Sequence, residues 1–175
     1  MKANLMLSGL LALVAGCVSP TPDVTTHYDE VSGLRTDLMG ENLLETPGEP
    51  RELVWLNASR VFKTYDKAEY YLEVNYMAKQ EVGYLEIPPG ETLTLIVDGE
   101  AMKFDGIGSQ RMRKPYKKEL VRENAVYPCT NIQIQKIADA KVVKVRIKGN
   151  KGLIERDFGP QNFERVQKFA ASYAR

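Results

Sequence analysis

Few side chains in this 175-residue chain could form a reactive centre. There is one histidine, His27, and there are two cysteines, Cys17 and Cys129. That is too little imidazole and thiol for a zinc or iron–sulfur site, so neither a metal nor a cofactor is expected. The chain has no Gly-x-Ser-x-Gly elbow, no His-Glu-x-x-His, no phosphate-cradling glycine loop and no Cys-x-x-Cys. The two glycines of Asp105-Gly106-Ile107-Gly108-Ser109 are too sparse for a nucleotide fingerprint and read as a turn. His27 falls where an N-terminal tether meets a folded domain, with nothing to hold or orient it as a base. No catalytic residue is assigned. An enzyme would need two carboxyls, drawn from scattered Asp and Glu, brought close together in a cleft.

Three features could bind without reacting. Arg111, Arg113, Lys114, Lys117 and Lys118 crowd into eight residues, a local excess that could meet an anionic envelope polymer or a protein partner. The plainer expectation is a solvated loop paired with Glu119, Glu123 and other acids. Tyr65, Tyr70, Tyr71, Tyr76 and Tyr84 could line a glycan cleft, although tyrosines at alternate strand positions more often belong to the core and sheet surface. Cys129 stands just before Thr130, where a small apolar group can pack onto Ile134. A buried structural thiol is the expectation there, and a nucleophile activated at a helix start is the rival.

The first residues, MKANLMLSGLLALVAGC, carry one charge at Lys2, an apolar stretch from Leu5 to Val14 and small residues before Cys17. The apolar stretch is shorter than the roughly 20 residues a spanning helix needs, which describes a secretory signal. Its end, Val14-Ala15-Gly16-Cys17, resembles the lipobox of bacterial lipoproteins; the resemblance covers these first 17 residues. It implies cleavage between Gly16 and Cys17, then acylation of Cys17, palmitate included. Only a thiol can form the thioether to diacylglycerol, and small residues let a peptidase reach the bond. Two or three acyl chains would make attachment nearly permanent, since one chain alone binds marginally. Val18 stands where an aspartate would hold such a protein at the inner membrane. The resemblance therefore implies the outer membrane, facing the periplasm. Ser19 to Thr26, with two prolines and three threonines, reads as an extended, solvated tether.

Beyond the signal, the remaining chain resembles the uncharacterised envelope lipoproteins of Gram-negative bacteria, with no residues that name a closer family. The full chain is 43% hydrophobic and 27% charged, enough apolar residues for a packed core. Lys+Arg number 24 against 23 Asp+Glu, so no basic excess points to nucleic acid. The organisation expected is a signal peptide over 1–16, a lipidated cysteine and tether over 17–26, and one β-rich domain over 27–175.

That domain has to be mainly β, because its hydrophobic pattern alternates at period two. Tyr70, Leu72, Val74 and Tyr76 share one face of a strand and Glu69, Glu73 and Asn75 the other. A further strand runs from Leu53 through Asn57-Ala58-Ser59-Arg60 to Phe62, and Ile87-Pro88-Pro89-Gly90 is a break. Asp98-Gly99 suits a type I′ turn, which pairs Val97 with Glu100, Leu95 with Met102 and Leu93 with Phe104. A second hairpin around Gly149-Asn150-Lys151-Gly152 sets Lys148 against Leu153, Arg146 against Glu155 and Lys144 against Asp157. Ile147 then meets Ile154 and Val143 meets Phe158. Opposed charges account for most of the Lys144, Arg146, Lys148 stripe, while Val145 opposite Arg156 has no local explanation.

Thr130 and Gln133 form a capping box for a helix over 131–140. Gly159-Pro160 starts another over 160–173, with Phe158 stapled onto Phe163. The expected fold is an antiparallel β-sandwich or half-barrel closed by the C-terminal helix. The expected role is a non-enzymatic protein-binding or assembly module on the membrane; the alternative is a module that binds an envelope glycan or lipid.

Overall fold

In the computed structural model, which describes residues 24–46, 51–64 and 67–174, Asp98 and Gly99 take φ of 48° and 91°. Both angles lie in the region a type I′ turn requires, where glycine has no Cβ penalty. The turn joins β5 (Gly90–Val97) to β6 (Glu100–Gly106) in the expected register, Val97 with Glu100, Leu95 with Met102 and Leu93 with Phe104. The second hairpin, β9 (Val143–Gly149) and β10 (Gly152–Asp157), also pairs as expected, Arg146 with Glu155 and Lys144 with Asp157. Arg146 is ion-paired to Glu155, and Lys144 lies 3.9 Å from Asp157. β5 also pairs with β9, giving a four-stranded sheet ordered β10-β9-β5-β6.

The larger sheet has the order β1-β2-β3-β4-β8-β7 among the described residues. Its strands are β1 (Val24–Asp29), β2 (Leu34–Met39), β3 (Glu52–Thr64), β4 (Lys67–Lys79), β7 (Arg113–Tyr116) and β8 (Leu120–Cys129). All pairings are antiparallel, and this sheet curls into a half-barrel on which the smaller one packs. Alternation decides what lies between them. Val54, Leu56 and Ala58 of β3, Leu72, Val74 and Tyr76 of β4 and Ala125 and Tyr127 of β8 are buried with Leu95, Val145 and Ile147 of the smaller sheet. The Val145–Arg156 mismatch is resolved here. Arg156 leaves its strand partner and crosses to Glu52 of β3 at 2.7 Å, an ion pair between sheets.

Two helices close the remaining side. α1 (Asn131–Ala138) begins in the capping box: the Gln133 N–H donates to Thr130 Oγ1 at 3.1 Å and the Thr130 N–H to Gln133 Oε1 at 2.9 Å. It ends at Ala138, short of the expected Ala140, and buries Ile134, Ile137 and Ala138. α2 (Pro160–Tyr173) starts on its proline, and Phe158 meets Phe163 edge-on with centroids 5.4 Å apart. Val166, Phe169 and Ala170 are its buried stripe. One buried polar residue in α2 breaks that pattern. Asn162 accepts the Gly159 N–H and donates to Asn42 Oδ1 and the Leu43 carbonyl, fastening the helix start to the chain after β2.

The N-terminal boundary differs from the sequence expectation. Val24, Thr25 and Thr26, assigned to the tether, are the first half of β1, and His27 sits inside that strand opposite Thr36. Two threonines and a valine are good strand formers, and β2 supplies the partner that converts them from tether to edge strand. Residues 1–23, with the signal and the lipobox Gly16-Cys17, lie outside the described residues.

Candidate functional site

Side chains of the larger sheet that point away from the core build a pocket of about 220 Å³. β3 contributes Trp55 and Asn57, β4 contributes Asn75 and Met77, and β8 contributes Leu120 and Arg122. The register sets them side by side: Trp55 opposite Asn75, Met77 opposite Arg122, and Leu120 opposite Tyr116 of β7. Lys117, in the β7–β8 turn, and Glu41, after β2, complete the rim. Each residue is there because its strand neighbours face inward.

The hydrogen-bonding state of the two asparagines is determined by their partners. Asn57 Oδ1 accepts the backbone N–H of Asn42 at 2.9 Å, and Asn75 Oδ1 accepts from Arg122 Nη2 at 3.3 Å. A backbone N–H and a guanidinium can only donate, so both amide oxygens are committed and both NH2 groups remain. Asn57 is 7% exposed and Asn75 9% exposed, and neither NH2 has a partner among the described residues. Arg122 makes no ion pair there either, and Lys117 Nζ lies over the Tyr116 ring at 5.4 Å from its centroid. The polar wall is thus rich in donors, with the Glu41 carboxylate as its charged acceptor. Trp55, Met77, Leu120 and Tyr116 make the rest apolar.

The basic run divides. Arg113 points to the opposite side of β7 and reaches Ser109 Oγ at 3.1 Å and the buried Glu123 at 3.6 Å. This is the acid–base pairing the sequence suggested for Glu123. Arg111, Lys114, Lys117 and Lys118 are exposed and have no ion pair among the described residues. Lys114 pairs in register with Arg122, which puts it on the pocket side of the sheet. β7 is an edge strand, and its Lys114 and Pro115 hinder pairing with another strand; a partner would meet charge here, not free backbone.

The tyrosines do not gather into one cleft. Tyr76 is buried, its hydroxyl donating to the Gly83 carbonyl at 3.1 Å, and Tyr70 donates to the Tyr173 carbonyl at 3.0 Å. Tyr84 packs against the core, Tyr71 lies on the other face of β4 bonded to Glu69, and Tyr65 is outside the described residues. His27 is exposed on its edge strand. Trp55, Asn57, Asn75, Met77, Arg122 and Glu41 were not singled out from sequence. The available signal was the polar pair Asn57 and Ser59 at outward positions of an otherwise apolar strand.

Cys129 ends β8, half-buried and packed against the core, and burial pushes its thiol up to about 12. At neutral pH it is a protonated thiol, a poor nucleophile. Labelling of the folded protein by a maleimide at pH 7 is therefore expected to be slow and to accelerate only with unfolding. Fast labelling would rule out the structural reading.

No group of three or more His, Cys, Asp or Glu among the described residues could hold a metal ion, and no helix there is long and apolar enough to cross a membrane. Compared with protein-family models, curated proteins and solved structures, the chain matches none.

Proposed function

We propose that this chain is a lipoprotein of the bacterial cell envelope, held by acylated Cys17 at the outer membrane and facing the periplasm. Its β domain serves there as a non-enzymatic module for binding a protein partner in an assembly. The observation that carries this reading is the β7 edge. Arg111, Lys114, Lys117 and Lys118 lie within eight residues and are all exposed without an ion pair among the described residues, which concentrates unpaired positive charge at one edge, while Arg60, Arg146 and Arg156 are paired within the fold. Unpaired surface charge of one sign steers and orients an oppositely charged partner. The lipobox Val14-Ala15-Gly16-Cys17 supports removal of the leader and acylation of Cys17 as the anchor.

The test is photo-crosslinking in native membranes from a probe at Lys118, read by mass spectrometry. One acidic partner should be captured, and the double reversal Arg111→Glu, Lys114→Glu should abolish capture while leaving the thermal melt unchanged. Arg113 is left out because its reversal would break the Glu123 cluster. An intact mass without acyl chains, or capture indifferent to the reversal, would overturn the reading. The glycan- or lipid-binding alternative has its own support in the donor-lined pocket.

A further inference from the structure

The geometry points to the Trp55 pocket as a binding site for an acidic sugar residue. It rests on the envelope reading only for where such a sugar would be met, not for the chemistry of recognition. Two side chains more than nine-tenths buried, Asn57 and Asn75, carry NH2 groups without partners, with their oxygens already engaged by Asn42 and Arg122. Both NH2 groups open onto the pocket rather than being sealed from solvent, so they are free to donate to a ligand that brings acceptors. Arg122 and Lys117 add positive charge beside them, and Lys114 adds more on the same side of the sheet. The donors suit a carboxylate, which a guanidinium can bind through two parallel hydrogen bonds.

A bare inorganic anion would leave most of the wall unused. Trp55, Met77, Leu120 and Tyr116 offer apolar surface, and an indole is a flat platform for the C–H face of a pyranose ring. Glu41 on the rim accepts hydroxyl protons, which an aliphatic carboxylic acid would lack. Size sets the limit. At about 220 Å³ the pocket is smaller than the roughly 300–1,000 Å³ used for drug-sized ligands, and it suits one sugar ring with its carboxylate. Longer chains would leave along the basic β7 edge.

Trp55 is the only tryptophan in the chain, so its emission reports on this pocket alone. The full chain in detergent is titrated with glucuronate, with glucose, acetate and inorganic phosphate as the comparison probes. Glucuronate should shift Trp55 emission saturably and bind about tenfold or more tighter than each of the others, as expected for losing a charge-assisted contact or a stacking surface. Arg122→Gln should erase that preference over glucose, with Lys117→Gln on the exposed turn carrying the same test if Arg122→Gln does not fold. No saturable shift with glucuronate, equal binding of phosphate or glucose, or a preference unchanged in a folded variant would overturn the site. None of these outcomes touches the crosslinking test, so the two readings fail separately.

Discussion

Glu123→Ala is expected to lower the unfolding free energy by about 3–5 kcal/mol, the range found when a buried charge cluster loses one member. Glu123 has no exposed surface. It accepts the backbone N–H groups of Glu86 at 3.0 Å and Ile87 at 2.7 Å, as well as the Ser109 hydroxyl. Arg113 Nε stands 3.6 Å away. One carboxylate therefore ties together the loop before β5, the turn after β6 and the edge strand β7. Alanine would leave the N–H groups of Glu86 and Ile87 without their acceptor and Arg113 without its carboxylate, while the Ser109 hydroxyl keeps the Ile87 carbonyl at 3.1 Å. Glu123→Gln is expected to fall between, because its NH2 would face donors where oxygens now accept. Urea unfolding followed by circular dichroism measures both. A change below about 1 kcal/mol for alanine would show that the loops are held by packing alone.

Arg60→Ala is the second large effect, about 3 kcal/mol, toward the lower bound for breaking a buried pair because Arg60 keeps some exposure. Its guanidinium donates to Asp37 Oδ2 at 2.7 and 3.1 Å and to the Tyr173 carbonyl at 3.1 Å, and lies over the rings of Phe62 and Tyr173 at 4.6 and 4.8 Å. It joins β2, β3 and the C-terminal end of α2, where a cation also complements the helix dipole. Asp37, fully buried, takes further hydrogen bonds from Thr26 at 2.7 Å and from Arg35 at 3.1 and 3.3 Å. Burial pushes its carboxyl upward, but the hydrogen bonds from Arg60, Thr26 and Arg35 outweigh it and hold the group below its usual value.

The sign for pH follows from that depression. Its stabilisation is fully present above the ordinary carboxyl value near 3.8 and is lost as pH falls through the lower folded-state value. The stability gap between the protein and Asp37→Asn should hold from neutral pH down to about pH 4 and shrink only below it. A gap already closing near pH 6 would mean that a different group governs the acid limb. Arg60→Lys should recover little, since an ammonium cannot give Asp37 Oδ2 two hydrogen bonds and reach the Tyr173 carbonyl while stacking on two rings.

How far the fold could be read depended on the distance between interacting residues. The Asp98-Gly99 turn carries its own backbone geometry, and alternation on both sides leaves one register that buries apolar partners; the pairing of Leu95 with Met102 follows from a dozen residues. The Thr130–Gln133 box and the Pro160 start are likewise local. The same logic went astray at Val24–Thr26, whose threonines and neighbouring prolines read as tether until β2 paired with them. It also could not place Arg156, whose partner Glu52 is 104 residues away.

The candidate site was less legible than the fold. Arg113 and Lys114 are adjacent in the chain and alike in charge, yet strand alternation sends one to Glu123 and the other to the pocket side. The tyrosines drew attention as a group because they are close in sequence, while the single tryptophan, two strands' width from Arg122, did not.

What the sequence determined alone was the mainly antiparallel β architecture, both hairpins and the two helix starts. Those properties rest on motifs, turn chemistry and periodicities that act within a few residues. Only the tertiary structure decided which polar groups would be buried. The carboxylate of Glu123 meets Glu86 across 37 positions, and Asp37 meets Arg60 across 23. The curl of the larger sheet turned outward-facing Trp55, Asn57 and Asn75 into a pocket. Burial and donor pairing are properties of neighbours in space, and a linear pattern carries no record of which distant strands will stand beside one another.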